Sequence, residues 1–168
     1  MMGKRKKRIL AVSSSGGHWV QLMRLRPSWD HCEATYLTTE KEYEKEVIRY
    51  NQENSLPDSA FYLTVVASRW QKFKLLRQLL DILLVIIRVR PEYIISTGAA
   101  PGYFALRLGK FIGAKTIWVD SIANVEELSM SGQRIRNNAD VCLTQWPQVA
   151  EESKDDKRGP VQFWGSVL

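Results

Sequence analysis

Two glycines between a short apolar segment and an amphipathic one constrain the fold of this chain more than any other feature. Arg8–Val12 is short and apolar, as expected for a buried parallel strand, and Trp19–Leu25 has the pattern of the start of a helix. The segment Ser13–His18, with the sequence SSSGGH, joins them. A strand that passes through glycines into a helix leaves backbone N–H groups beside the positive end of the helix dipole, which predicts an anion site, usually for phosphate or diphosphate.

The histidine of this loop is a candidate for proton transfer. His18 stands at the predicted helix start, where an imidazole can accept a proton. The alternative is a tight turn whose glycines only allow close packing, with His18 as a solvated cap, and spacing alone does not separate the two. The loop matches neither G-x-G-x-x-G nor G-x-x-x-x-G-K-[ST], which argues against a kinase or an ordinary NAD enzyme.

Composition predicts one soluble domain with an uneven charge. The chain has 168 residues, 45% of them hydrophobic and 25% charged, and a net charge of +6. Much of this charge lies in Lys4–Arg8, so we expect a basic tail over residues 1–8 and one domain over residues 9–168. Such a tail suits nucleic acid or an anionic membrane surface. The two cysteines match no metal spacing, and we expect a reduced, cytosolic setting.

Strand-like and helical segments alternate along the chain, which predicts an α/β fold with a single Rossmann-like, doubly wound parallel sheet. In the order 3-2-1-4-5, ligands bind where the order reverses, beyond the carboxyl ends of strands one and four. Three loops then face one crevice: Ser13–His18, Ser96–Gly102 and Asp120–Asn124. Asp120 and Asn124 are also common turn and helix-start residues. The predicted strands are Arg8–Ser13, Ala34–Thr38, Ala60–Val65, Tyr93–Ser96, Lys115–Val119, Asp140–Thr144 and Val161–Trp164; the predicted helices are Trp19–Arg26, Lys41–Gln52, Trp70–Val89, Gly102–Phe111, Gly132–Asn138 and Gln148–Lys154.

The third predicted helix is more apolar than packing on a sheet requires. It spans about 30 Å over Trp70–Arg90, and its apolar residues cover an arc of about 200°, whereas a surface helix needs a stripe of about 100°. Basic and aromatic residues at its beginning fit an interfacial helix on a bilayer, and we expect membrane contact there. The alternative is burial against a protein partner. The residues of this expected membrane contact are Trp70, Phe73, Lys74 and Arg77.

Four motifs in order resemble a known family. They are SSGGH at Ser14–His18, Ile95–Ala99, Gly113–Thr116, and Asp140 followed by Gln145–Pro147. Together they resemble the acceptor-side, membrane-anchoring subunit of the two-part UDP-GlcNAc transferases of N-glycan assembly, with bacterial PssD-like polysaccharide biosynthesis proteins. The chain is more distantly similar to the amino-terminal half of MurG, and the resemblance covers about residues 8–165.

The resemblance implies half of a GT-B glycosyltransferase that is inactive alone and sits peripherally on the cytoplasmic face of the membrane. The implied partners are a separate nucleotide-sugar-binding subunit, a polyprenyl-diphosphate-linked acceptor and an anionic membrane surface, but not nucleic acid. No metal and no cofactor are implied. The implied catalytic residues are His18, as general base, and Asp120; the backbone of Gly16, Gly17 and Gly98 and the hydroxyls of Ser14, Ser15 and Thr97 bind the acceptor diphosphate; and Asn124 binds acceptor sugar.

One departure from the family weakens the assignments in the third loop. Eukaryotic relatives often carry Glu and Arg where this chain has Asp120 and Asn124. Two other functions stay open from the sequence. The chain is either a non-catalytic module that recruits a catalytic partner to the membrane, or a stand-alone nucleotide-binding Rossmann protein, against which the missing G-x-G-x-x-G counts.

Overall fold

A parallel sheet of six strands forms the centre of the computed structural model, which describes residues 5–68, 70–154, 156–157 and 159–167. The strand order is β3-β2-β1-β4-β5-β6, so the doubly wound arrangement is confirmed and the order reverses between β1 and β4. The strands are β1 (Arg8–Val12), β2 (Glu33–Thr38), β3 (Ala60–Leu63), β4 (Tyr93–Ser96), β5 (Lys115–Val119) and β6 (Val141–Leu143). The helices are α1 (Gly17–Leu25), α2 (Tyr43–Glu53), α3 (Lys72–Val89), α4 (Ala99–Phe111), α5 (Met130–Ile135) and α6 (Pro147–Glu152).

Helices cover the two faces of the sheet unequally. Side chains of α1 and α2 pack with Ile9, Ala11 and Tyr36 on one face. Side chains of α3 to α6 pack with Leu10, Val12 and other strand residues on the opposite face. Since β1 is covered on both faces, its residues from Ile9 to Val12 are buried without alternation, as in other doubly covered parallel sheets.

The predicted strand Val161–Trp164 is wrong. Only Gln162 pairs with the sheet, through an isolated parallel bridge to Leu143. The strand it borders, β6, is three residues long, so it offers no partners for a longer ladder. The segment then leaves the sheet, and Trp164 is 69% exposed.

The start of α4 also differs from its prediction, because the helix begins at Ala99 and not at Gly102. Gly98 adopts a φ of 141° and caps the helix. Pro101 then falls within the first turn, where its missing N–H leaves no hydrogen bond unmade.

The basic tail is partly built into the amino-terminal edge of the sheet. Arg8 is the first residue of β1, and the backbone carbonyl of Lys7 accepts a hydrogen bond from Glu33 N. Glu92 accepts from Lys7 Nζ at 3.0 Å and from Arg8 N at 3.2 Å, and these contacts lower its pKa to about 2. Lys4 lies outside the described residues. The described part of the tail is therefore at the opposite edge of the sheet from the glycine loops.

Asp140 joins the amino-terminal ends of β5 and β6. Its carboxylate accepts from Thr116 N at 2.8 Å, Thr116 Oγ1 at 2.9 Å and Lys110 Nζ at 2.5 Å. Burial by itself raises the pKa of Asp140, but the hydrogen bonds from Lys110 and Thr116 outweigh it and lower the pKa to about 2. The ionised form is therefore the one that the folded state stabilises.

We predict a pH-dependent loss of stability in Asp140→Asn. Because the folded pKa lies below the ordinary aspartate value, the carboxylate stabilises the fold above that value, and its contribution disappears as the pH falls through about 2. Asp140→Asn should cost about 1–2 kcal/mol at neutral pH and progressively less as the pH falls toward that pKa. Urea unfolding of the variant and of Asp58→Asn, at an exposed aspartate, measures this. An equal loss of stability in Asp140→Asn at neutral pH and near pH 2 would contradict the prediction.

Candidate active site

The crevice lies where β1 and β4 end side by side. Val12 at the end of β1 is in register with Ser96 at the end of β4. The loops that follow these strands therefore start next to each other at the carboxyl edge of the sheet, which is the ligand-binding position of a doubly wound fold. Each loop leads directly into a helix, α1 or α4.

Two backbone N–H groups of the first loop bond to side chains of the protein, and the next two face the crevice. Ser15 N donates to Thr39 Oγ1 at 3.1 Å, and Gly16 N donates to the Tyr43 hydroxyl at 2.9 Å. The N–H groups of Gly17 and His18, in the first turn of α1, have no intrahelical acceptor. The amide of Gly16, which the sequence analysis expects to bind the diphosphate, is therefore already occupied by the Tyr43 hydroxyl.

Tyr43 and Thr39 hold this loop and were not found from the sequence. The Tyr43 ring stacks on Trp19, with centroids 4.6 Å apart and planes 2° from parallel. Trp19 Nε1 in turn donates to Glu46 Oε2 at 2.8 Å. An aromatic residue at the start of α2 is an ordinary core signal, and only the pairing of β1 with β2 brings it to the glycine loop.

His18 is fixed by the loop that follows β4. Its Nδ1 lies 2.9 Å from the carbonyl oxygen of Thr97, and Thr97 Oγ1 donates back to the carbonyl of His18 at 2.6 Å. A carbonyl can only accept, so Nδ1 carries the proton, and in the neutral imidazole Nε2 is left with its lone pair. No hydrogen-bond partner of Nε2 is found within the described residues, and the side chain is half-buried. This is the tautomer that a proton acceptor needs.

The Thr97–Gly98 segment serves the histidine rather than an anion. Thr97 is fully buried, and its hydroxyl is committed to His18. The N–H of Gly98 donates to Ser96 Oγ at 3.1 Å. A Cβ on Gly98 would stand 2.4 Å from two atoms of the His18 ring. The geometry thus replaces the predicted diphosphate contacts of Thr97 and Gly98 with a role in positioning His18.

Asp120 is buried and fully hydrogen-bonded. Oδ1 accepts from Trp118 Nε1 at 2.9 Å and Ser129 Oγ at 2.6 Å. Oδ2 accepts from Ser129 N at 2.7 Å and Asn124 Nδ2 at 3.0 Å. With 1% exposure, the carboxylate is not open to a substrate. It closes the loop from residue 120 to residue 129, so the geometry supports a positioning role in place of the predicted catalytic one, and one N–H of Asn124 serves the same closure.

Gln21 ties the third loop to α1 and is a further residue that the sequence analysis missed. Its Nε2 donates to the carbonyl of Asp120 at 2.8 Å, and its Oε1 accepts from Ile122 N at 3.3 Å. Gln21 is buried and lies one helical turn beyond His18. The one sign of this role in the sequence is a polar side chain between the apolar residues Trp19 and Leu22, three residues after the histidine.

The predicted membrane-contact residues lie at the same edge of the sheet as the crevice. Because α3 follows β3, its first turn stands at the carboxyl edge. Trp70 is 79% exposed and Phe73 is 90% exposed, and Lys74 and Arg77 are exposed beside them. Among the described residues, no helix is both long and apolar enough to cross a bilayer. The same residues contain no cluster of three side chains that could hold a metal ion.

A family model supports the resemblance seen in the sequence. The model described as "Oligosaccharide biosynthesis protein Alg14 like" matches residues 9–161. The UDP-N-acetylglucosamine transferase subunit ALG14 of Mus musculus is 26% identical over 182 residues, covering 86% of this chain and 78% of its own. The human ALG14 subunit is 28% identical over 180 residues, covering 86% and 77%.

Solved structures show the same fold in larger proteins. MurG of Acinetobacter baumannii superimposes with a TM-score of 0.67 at 11% identity, covering 93% of this chain and 45% of its own. A UDP-N-acetylglucosamine 2-epimerase from Rickettsia bellii gives 0.70 at 11% identity, covering 97% and 46%. The chain thus spans about half the length of these structures. Since a transferase and an epimerase share the fold, the fold does not select an activity.

We predict that Gly98→Ala releases His18 from its fixed tautomer. The added Cβ meets the imidazole at 2.4 Å, so the ring must leave the Thr97 carbonyl. Nitrogen-15 NMR of His18 should show a proton on Nδ1 in the wild type and a mixture of tautomers in the variant. Gly113→Ala is the matched control, because Gly113 also has a positive φ, of 78°, but nothing within 4 Å of its Cβ site. An unchanged His18 spectrum in Gly98→Ala would contradict the assignment.

Proposed function

Because the chain belongs to the Alg14-like family of oligosaccharide biosynthesis proteins, we propose that it is the acceptor-binding subunit of a two-part glycosyltransferase. It binds a polyprenyl-diphosphate-linked acceptor at the cytoplasmic face of a membrane. A separate subunit binds the UDP-sugar, and GlcNAc or another hexose is transferred to the acceptor. The relatives named as UDP-N-acetylglucosamine transferase subunits support this class of reaction.

The observation that carries the proposal is the arrangement of His18 at the start of α1. The imidazole holds its Nδ1 proton toward the Thr97 carbonyl and keeps the Nε2 lone pair available. The N–H groups of Gly17 and His18 are adjacent, at the positive end of the helix dipole. A proton acceptor next to an anion site is what a diphosphate-linked sugar with a reacting hydroxyl requires.

In the proposed reaction, the acceptor diphosphate binds the N–H groups of Gly17 and His18, with the hydroxyls of Ser14 and Ser15 as further donors. His18 Nε2 takes the proton of the acceptor hydroxyl while that oxygen bonds to the anomeric carbon of the donor sugar. The bond from this carbon to the UDP oxygen breaks, and UDP leaves with the electron pair, so the configuration inverts. The Thr97 carbonyl stabilises the imidazolium through Nδ1–H. Asn124, within the loop that Asp120 closes, is the proposed acceptor-sugar contact.

We place the contact with the partner subunit on a part of the sheet that the described helices of this chain cover only in part. On the α1 face, Ile95, Ile117 and Leu143 line a cavity of about 330 Å³ together with Trp164 and Leu25, the last residue of α1. Residues 164–167 cross this face, anchored by Arg24 Nη1 to the carbonyl of Val167 at 3.0 Å. Leu168, the last apolar residue of this carboxyl-terminal segment, lies outside the described residues. The exposed indole of Trp164 makes this face the proposed contact for the nucleotide-sugar-binding subunit.

Membrane contact is proposed at the beginning of α3. The exposed aromatic rings of Trp70 and Phe73 stand beside Lys74 and Arg77. Aromatic side chains enter the headgroup region, and long basic side chains pair with anionic lipid there. This surface shares the carboxyl edge with the crevice, which suits an acceptor whose diphosphate is fixed at the membrane.

We predict that sugar transfer needs both subunits and His18. The chain alone, given UDP-GlcNAc and a polyprenyl-diphosphate-linked sugar, should give no product, and adding the nucleotide-sugar-binding subunit of the same organism should start transfer.

In that mixture, His18→Ala should lower the single-turnover rate about 100-fold or more at saturating acceptor. His31→Ala is the control, since His31 is the other histidine and is exposed. Turnover by the chain alone would overturn the two-part proposal. A near-normal rate in His18→Ala would overturn the general-base assignment.

We predict that Trp164→Ser weakens the subunit complex. Loss of an exposed indole at the centre of an interface should lower the affinity at least about tenfold. Val66→Ser is the control: Val66 is an apolar residue of similar exposure (66%), but it follows β3, at the other end of the sheet from Trp164, so the affinity should be unchanged. Isothermal titration of the two purified subunits measures both variants, and equal affinities for Trp164→Ser and wild type would refute this location.

A further inference from the structure

Helix α3 is apolar on two opposite sides. Its inner side, with Ile82, Val85 and Ile86, is buried in the core. On its outer side, five apolar residues at helical spacing are 50–90% exposed and fall within a sector about 80° wide at 100° per residue. These residues, Phe73, Leu76, Leu80, Leu84 and Ile87, run along the whole helix. The core explains the inner side only, so the outer side has another contact.

The outer stripe continues beyond the end of α3. Ile87 and Ile112 line the same groove, of about 600 Å³, between the ends of α3 and α4 at the amino-terminal edge of the sheet. Ile112 is 49% exposed, and the neighbouring Phe111 is 82% exposed. We call the five α3 residues together with Phe111 and Ile112 the apolar band. Since α3 alone is about 27 Å long, the band joins the crevice edge of the sheet to the opposite edge.

Aromatic and basic side chains mark both ends of the band. Trp70 and Phe73 lie with Lys74 and Arg77 at one end. At the other, Phe111 lies with exposed cations of α3, α4 and the strand ends: Arg88, Arg90, Lys110, Lys115 and Lys7. Glu92 and Asp140 neutralise some of these cations. Asp81, the one acidic residue of α3, accepts a hydrogen bond from Thr64 Oγ1.

We infer that the whole apolar band lies flat on an anionic bilayer, with Phe111 and Ile112 as a second point of insertion. This rests on the proposed membrane contact at Trp70 and Phe73 and extends it to the opposite edge of the sheet. Rings and cations at both ends, with aliphatic side chains between them, are typical of an interfacial helix. A protein interface instead concentrates its aromatic anchors near its centre.

The inferred orientation determines how the acceptor reaches the site. With α3 parallel to the bilayer, the strands also run along the membrane surface, and the crevice opens sideways at the carboxyl edge. An acceptor diffusing in the membrane then approaches the N–H groups of Gly17 and His18 from the side. Contact through the first turn of α3 alone would stand the sheet upright, with the crevice facing the lipid.

The test compares Phe73→Ser with Phe111→Ser, the same change at the two ends of the band. Both side chains are more than four-fifths exposed, so thermal unfolding should show intact folds. Binding of the full chain is measured by sedimentation with phosphatidylcholine vesicles with and without phosphatidylglycerol. Each variant should lose about tenfold in affinity for the anionic vesicles. Ile48→Ser, at a 46% exposed residue of α2 on the opposite face, should lose nothing.

Other outcomes overturn the inference in distinguishable ways. If only Phe73→Ser weakens binding, the flat orientation is wrong while the proposed membrane contact stands. If neither variant weakens binding, both are wrong. If Phe111→Ser instead dissociates a dimer of this chain, or lowers affinity for the nucleotide-sugar-binding subunit, with vesicle binding unchanged, the far end of the band is a protein interface.

Discussion

Four parallel residue pairs join β1 to β4, and the last of them, Val12 with Ser96, sets where both crevice loops begin. From this register, the loop after β1 delivers His18 and the loop after β4 delivers Thr97 and Gly98 to the same place. Two hydrogen bonds then join His18 and Thr97 in opposite directions. A slip of one residue would reverse the facing of every side chain in β4 and separate these groups. The imidazole therefore owes its tautomer to strand pairing.

Most polar groups around the crevice are already paired within the protein. Tyr43 and Thr39 occupy the amides of the first loop, and Gln21 and Asp120 hold the third loop. Among the described residues, these bonds leave open the N–H groups of Gly17 and His18, the hydroxyl of Ser15 and His18 Nε2, while the hydroxyl of Ser14 donates to the carbonyl of Ser15 at 3.4 Å. A site whose supporting bonds are made before the ligand binds needs little rearrangement on binding, which lowers the entropic cost of positioning a substrate.

Helix α3 links this site to the proposed membrane surface, because its first turn stands at the crevice edge and its last turn at the opposite edge. The basic residues of the amino-terminal segment lie near its far end, where Lys7 pairs with Glu92. The basic tail and the aromatic residues at the beginning of α3 therefore lie at opposite ends of the helix. The tail and the aromatic residues lie about one helix length apart, and the apolar band along α3 runs between them.

The sequence by itself indicated the arrangement of the first five strands and the place of the crevice, because apolar runs, glycine turns and alternation with helices are local signals. It also made His18 a candidate, since a histidine after two glycines at a helix start is visible in the chain. The partners of the hydroxyl of Thr97 and of the amide of Gln21 are distant in sequence, whereas the carboxylate of Asp120 bonds to residues two to nine positions away that only the folded loop turns toward it. These polar groups are buried and bond to other groups of the protein. The expected seventh strand does not form, because β6 is only three residues long. Those outcomes were decided by tertiary structure, because a buried polar group must find its partner wherever the packed chain brings one.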